Sequence, residues 1–197
     1  MKIYDISQEV ISSAVYPSDP SPSLRRISDM ENGDPYNLSE FSMCAHNGTH
    51  LDAPRHFIKN GKTIGEIDLS SVVGACYVAE PVGTLEENEV RRILENAGEY
   101  PDANKRILIK GQAEVTKEAA IILRDSGVRL IGVETQSVGP LLSPMEVHKI
   151  LLSEDILLLE GLRLEKVKEG SYTLFAAPIN LGDAEGAPCR AILIDCK

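Results

Sequence analysis

Three histidines stand close together in this chain, at His46, His50 and His56, with Asp52 among them in the run His46-Asn47-Gly48-Thr49-His50-Leu51-Asp52-Ala53-Pro54-Arg55-His56-Phe57. In an extended segment His50 and Asp52 project to the same side, because side chains alternate with period two. They can therefore share a metal. Gly48 lets the backbone turn tightly ahead of that pair and aims His46 back toward the same point. Pro54 ends any ladder hydrogen bonding after it. Imidazole nitrogens with carboxylate oxygens suit zinc or manganese.

The fourth and last histidine, His148, lies on a predicted helix, and Glu160 ends the apolar strand that follows. Either residue alone is ambiguous: an inward-facing helical histidine is commonly a satisfied core group, and a glutamate at a strand end is commonly solvated. Together, a buried imidazole and a carboxylate beside a leucine-rich strand need partners, and a metal held by the first cluster would be one. His56 need not be a ligand. Its ordinary pKa near 6.5 suits a general acid or base; the alternatives are a further ligand, or a partner that orients a carboxylate. Thr49 supports the turn. Ser137, in the loop Glu134-Thr135-Gln136-Ser137-Val138-Gly139, stands where substrate contacts are common, but no Ser-His-Asp arrangement is visible.

The elements that must position these residues can be read from periodicity and punctuation. Strand-like runs come first, at Lys2–Ile6, Glu9–Ala14, Ser23–Ile27 and Ser39–Cys44, separated by the loops Tyr16–Pro22 and Glu31–Asn37. Helices and strands then alternate. Cys76–Ala79, Arg106–Lys110 and Arg129–Val133 read as strands, Glu87–Ala97 as a helix stopped by Gly98, and Thr116–Ser126 as a helix capped by Thr116. Ser143-Pro144-Met145-Glu146 reads as a capping box that opens a helix. On that helix Met145, His148, Leu151 and Leu152 share a face that should point inward. Strands at Ile156–Leu159, Ser171–Ala176 and Ala191–Asp195 complete a single α/β domain, residues 1–197, with a mixed sheet.

Bulk properties narrow the function. At 197 residues, with 43% hydrophobic and 25% charged content, the chain can bury one sizeable core. A formal charge of −10 argues against nucleic acid or an anionic membrane surface as partner. No stretch is long and apolar enough to span a bilayer, and the N-terminus reads as a strand rather than a signal peptide. Cys44, Cys76, Cys189 and Cys196 lack CxxC spacing, so reduced thiols in a cytoplasmic protein are the simplest reading.

The run from His46 to Phe57 resembles the HxGTHxDxPxHF signature of the metal-dependent cyclase-like hydrolases, the family that includes bacterial kynurenine formamidase. His148 and Glu160-Gly161-Leu162 keep the family's spacing. Gly170-Ser171-Tyr172-Thr173-Leu174, Ala177-Pro178-Ile179 and Ala187-Pro188-Cys189-Arg190-Ala191 are similar as well, so the resemblance runs from Ile3 to the end. It implies a swivelling β/β/α fold and a homodimer or homotetramer. It implies that His46, His50, Asp52, His148 and Glu160 are metal ligands for one or two zinc or manganese ions, with Asp52 and Glu160 bridging when two are bound. His56 would be the catalytic histidine. The reaction implied is hydrolysis of a small amide or cyclic amide, arylformamidase-like, with N-formylkynurenine and a place in tryptophan catabolism as one instance. The metal would polarise the carbonyl and make water more acidic, and His56 would shuttle the proton to the leaving atom.

Two departures qualify the substrate. Family formamidases often carry an Asp-Thr-x-Ser-x-Asp loop where this chain has Glu134-Thr135-Gln136-Ser137-Val138-Gly139. Aromatic residues make up only 5% of the chain, with no tryptophan, which leaves Phe57 and Tyr36 as candidate walls for an aryl group. A metal-binding module of the same fold without hydrolytic activity is the rival reading, against which the intact His56 counts. A purely structural domain would hold no metal at all.

Overall fold

A computed structural model describes residues 1–81, 83–140 and 143–195. Cys196 lies outside the described residues; Cys44, Cys76 and Cys189 are free thiols. The chain opens with β1 (Lys2–Asp5), a hairpin of β2 (Ser23–Ser28) and β3 (Leu38–Ser42), and the short β4 (His50–Asp52). Then come β5 (Val73–Ala79), α1 (Glu87–Gly98), β6 (Arg106–Ile109), α2 (Lys117–Asp125), β7 (Leu130–Val133), α3 (Met145–Leu152) and β8 (Leu157–Glu160). The chain closes with β9 (Gly170–Phe175), β10 (Gly186–Pro188) and β11 (Ile192–Asp195).

Strands β5 to β8 pair in parallel through three helical crossovers, and antiparallel strands extend the sheet on both sides in the order β1-β11-β9-β5-β6-β7-β8-β4-β10. The central strands are apolar almost throughout because both faces are covered. Tyr77, Ala79, Ile107, Ile109, Ile131, Val133 and Leu158 face α1, α2 and α3, whose Val90, Ile93, Leu123 and Leu151 complete one core. The alternate residues Cys76, Val78, Leu108, Leu130, Leu157 and Leu159 face the other way, against Ile6, Val72, Leu164 and Leu193. The α/β fold with a mixed sheet thus follows the sequence expectation, and the helices expected at Glu87–Ala97 and Thr116–Ser126 form as α1 and α2, the second capped as expected, with Thr116 Oγ1 accepting from Ala119 N at 3.2 Å.

Three local expectations fail. Glu9–Ala14 is a turn and not a strand. The Glu9 carboxylate accepts from the main-chain N–H of Ile11 and Ser12, at 2.9 and 2.7 Å, and takes up the groups a strand partner would need. The capping box does not form. Pro144 occupies the cap position with no side-chain bond, and Glu146 instead pairs with Lys117 of α2 at 2.5 Å. Met145 points outward, and the buried face of α3 is Val147, His148, Leu151 and Leu152. The strand β10 went unread, because three residues containing Gly186 and Pro188 carry no strand pattern; it sits at the sheet edge, where proline is tolerated.

The β2–β3 hairpin stands apart from the main sheet, with Leu24, Ile27, Met30, Leu38 and Phe41 all exposed. Tyr36 is also exposed there and does not line the cavity over the clustered histidines within this chain.

Candidate metal centre

Sheet register assembles the site. β4 lies between β8 and β10, and its pairing sets His50 opposite Glu160 on one side and Pro188 on the other. The pleat then turns His50, Asp52 and Glu160 to one face, beneath α3 with His148. Ahead of β4 the chain reverses through a turn in which Asn47 N donates to Cys44 O at 3.1 Å and Gly48 takes φ +71°. That reversal brings His46 back over Asp52, as the glycine implied. Thr49 fastens the turn: its hydroxyl donates to Gly161 O at 2.7 Å and accepts from Gln8 N at 3.0 Å.

All six candidate residues converge. His46 Nδ1 lies 2.9 Å from Asp52 Oδ1. His50 Nε2 lies 3.5 Å from Asp52 Oδ1 and 3.4 Å from Glu160 Oε2. His148 Nε2 lies 3.2 Å from Glu160 Oε1 and 3.7 Å from Asp52 Oδ2. Two triads result, His46/His50/Asp52 and Asp52/His148/Glu160, each with its ligand atoms within 4.8 Å of one another. Bonds of about 2.0–2.2 Å to a shared ion set ligand atoms roughly 3–4 Å apart, so these spacings match a coordination shell. Asp52 belongs to both triads.

Burial favours a cation at this cluster. Asp52, His50, His148 and Glu160 are all buried, and His50 Nε2 and Asp52 Oδ2 have no hydrogen-bond partner although both are shielded from solvent. Orphaned atoms of this kind are costly unless a ligand satisfies them. Their other ends are already fixed: His50 and His148 give their Nδ1–H to Gly48 O and Pro144 O, at 3.1 and 2.9 Å, and Val138 N donates to Glu160 Oε1 at 2.8 Å. The residues present therefore fit a divalent metal, with its outer contacts in place.

The electrostatics agree. Burial alone would lower the pKa of His46, but its hydrogen bond and charge contact with Asp52 win and push it up to about 9. His50 and His148 are likewise raised by Glu160 and Asp52 against the pull of burial. Burial acts to raise the Asp52 and Glu160 carboxyls, yet the facing imidazoles hold both below the ordinary carboxylate range. Without metal, protons on the imidazoles balance the carboxylates; a bound cation takes their place.

His56 differs from the rest. It sits in the 3₁₀ turn Pro54–His56, its side chain is 28% exposed against 13% or less for the other three histidines, and its Nε2 is 3.9 Å from Asp52 Oδ2. Its ring stacks on His46 at 4.2 Å between centroids and meets Phe57 edge-on at 4.4 Å. Burial and the neighbouring His46 and His148 push its pKa down, leaving a neutral imidazole near pH 7.

His56 and Phe57 line a cavity of about 230 Å³ that opens over His50, His148 and Glu160. Ser137 lines it too, as its loop position suggested. Tyr16, Cys44 and Gln136 were missed. Tyr16 belongs to a proline-rich loop that shows no local signal of its fold-back, and Gln136 is held there by donation to Ala14 O.

A family model described as "Putative cyclase" matches residues 4–140. The chain belongs to the cyclase family. It is 32% identical to the kynurenine formamidase of Delftia acidovorans over 203 aligned positions, which cover 98% of this chain and 97% of that protein. It is 33% identical to the kynurenine formamidase of Erythrobacter litoralis, covering 98% and 93%. The solved structure of a potential metal-dependent hydrolase with cyclase activity superposes with a TM-score of 0.82 at 28% identity, over 100% of this chain and 98% of that one. The fold and the family expected from the His46–Phe57 signature are those found. No helix among the described residues is long and apolar enough to cross a membrane.

Proposed function

We propose that this member of the cyclase family is a metal-dependent hydrolase of a small aryl formamide or related amide. One observation carries the reading: Asp52 is shared by two ligand triads, and His56 stands beside them on the open side, free of both. His46, His50, Asp52, His148 and Glu160 would hold one or two ions, zinc or manganese by their mixture of imidazole and carboxylate donors. When bound, the cation polarises the substrate carbonyl and acidifies water.

The chain's own groups supply the rest. Asp52 and Glu160 bring the negative charge, and the carbonyls of Gly48 and Pro144 fix the rings of His50 and His148. His56 Nε2 takes a proton from the attacking water and returns it to the leaving nitrogen, so an amide and water yield a carboxylic acid and an amine. Phe57 and Tyr16 give the cavity the aromatic wall that composition alone did not reveal.

Aryl formamides are favoured because two relatives covering nearly the whole chain are kynurenine formamidases. A formanilide, N-formylkynurenine, an isatin-like lactam and a lactone offered to metal-loaded protein form the test. The open-chain aryl formamides should give the highest kcat/KM. A clear preference for the lactam or for a non-aromatic amide would overturn the formamide assignment. N-formylkynurenine as preferred substrate would place the enzyme in tryptophan catabolism.

The protein would act as a homodimer or homotetramer. An isolated two-stranded hairpin is marginally stable in water, and the β2–β3 hairpin exposes Leu24, Met30 and Phe41, which a second copy would cover. Sedimentation equilibrium should give a multiple of the chain mass; a monomer at micromolar concentration would contradict it.

A further inference from the structure

His46 is held differently from the other two histidines of the cluster. His50 and His148 each donate Nδ1–H to a main-chain carbonyl, which leaves Nε2 as the nitrogen that faces Asp52 and Glu160. In His46 the order is reversed: Nδ1 faces Asp52 Oδ1 at 2.9 Å, and Nε2 faces Glu185 Oε1 at 3.3 Å. The Cε1–Nε2 edge of the ring lies against the backbone of Gly186, where an added Cβ would fall 2.6 Å from Cε1 and 3.1 Å from Nε2. Glu185 and Gly186 are themselves fixed to the site. Gly186 pairs with Asp52 in the β10–β4 ladder, and Ala53 N donates to Glu185 O at 2.9 Å. One short edge strand therefore positions both Asp52 and the ring of His46.

A neutral imidazole has one N–H and one lone pair, and a carboxylate can only accept. Without metal both ring nitrogens of His46 face carboxylates; with a cation on Nδ1, the nitrogen that points into the cluster, the proton of the neutral ring stands on Nε2, where Glu185 can accept it. Building on the metal reading above, we propose that Glu185 is a positioning residue that holds His46 as the Nε2–H form and makes Nδ1 its metal-ligating atom, whereas His50 and His148 ligate through Nε2. Gly186 leaves the room the ring needs. A carboxylate behind a ligating imidazole fixes its orientation and strengthens it as a donor.

With four histidines in the chain, the ring nitrogens can be resolved individually. In cadmium-loaded protein carrying isotope-labelled histidine, cadmium–nitrogen coupling should fall on Nδ1 of His46 and on Nε2 of His50 and His148. Glu185→Gln and Glu185→Ala should lower metal affinity, measured by chelator competition, by about 10–100-fold. Glu185→Asp should recover part of the loss. The side chain of Glu185 is 44% exposed, so these changes leave the core intact. Coupling on Nε2 of His46, or unchanged affinity in Glu185→Ala, would overturn the assignment and leave the metal centre standing. Protein that takes up no cadmium would overturn both.

Discussion

Asp52→Asn should leave the protein folded, unable to retain metal through dialysis, and slower in kcat/KM by about a thousandfold or more, a loss of roughly 4 kcal/mol of transition-state stabilisation. The change keeps the shape of the side chain and removes only its charge and half of its acceptor capacity. Because Asp52 contributes to both triads, both are broken at once. The same carboxylate raises the pKa of His46, so its loss also unbalances the imidazole nearest to it. Each triad would be left with two donors, His46 with His50 and His148 with Glu160, and two donors seldom hold a divalent ion against water. Elemental analysis after dialysis, alongside circular dichroism and kcat/KM, separates the outcomes. Full metal occupancy with activity within tenfold of the parent would remove Asp52 from the centre of the account.

His56→Ala should act on a different quantity. Metal content and KM should stay near the parent values, while kcat falls by about 10²–10⁴-fold, the range for loss of a positioned general acid–base group. The direction of its pKa sharpens the test. Without metal, burial and the positive neighbours His46 and His148 push His56 below its ordinary 6.5; in the loaded protein the cation that replaces their protons pushes the same way. The free base needed to accept a proton is therefore present above that lowered value and lost as pH falls through it. The acid limb of kcat/KM should lie below 6.5 in the parent and disappear in the variant. A variant that turns over within threefold of the parent, fully metal-loaded, would mean that His56 is not the proton carrier.

Much of the centre was legible because its residues are close in sequence and obey simple periods. His50 and Asp52 share a face by strand alternation, Gly48 accounts for the return of His46, and the 3.6-residue period of α3 turned His148 inward. What could not be read was register. Nothing local says that Glu160 pairs across from His50, or that a segment holding Gly186 and Pro188 would bind the far edge of β4 and carry Glu185 to His46. The same limit explains the aromatic wall. Tyr36 and Tyr16 look alike in sequence, but one lies on an exposed hairpin and the other on a loop that folds back across the cavity. Competition explains the failures at Glu9–Ala14 and at the start of α3: the Glu9 carboxylate takes the main-chain N–H groups of its own turn, and Glu146 pairs with Lys117 of α2 instead of Ser143.

These five residues are proposed to hold a metal that catalysis requires, and that requirement can be checked. Its most direct test is to strip the protein with a chelator and return zinc or manganese stepwise, following formanilide hydrolysis and bound metal together. The metal-free protein should be inactive, and the rate should climb in proportion to the metal bound until the site is full. Hydrolysis at the full rate by metal-free protein would contradict the account.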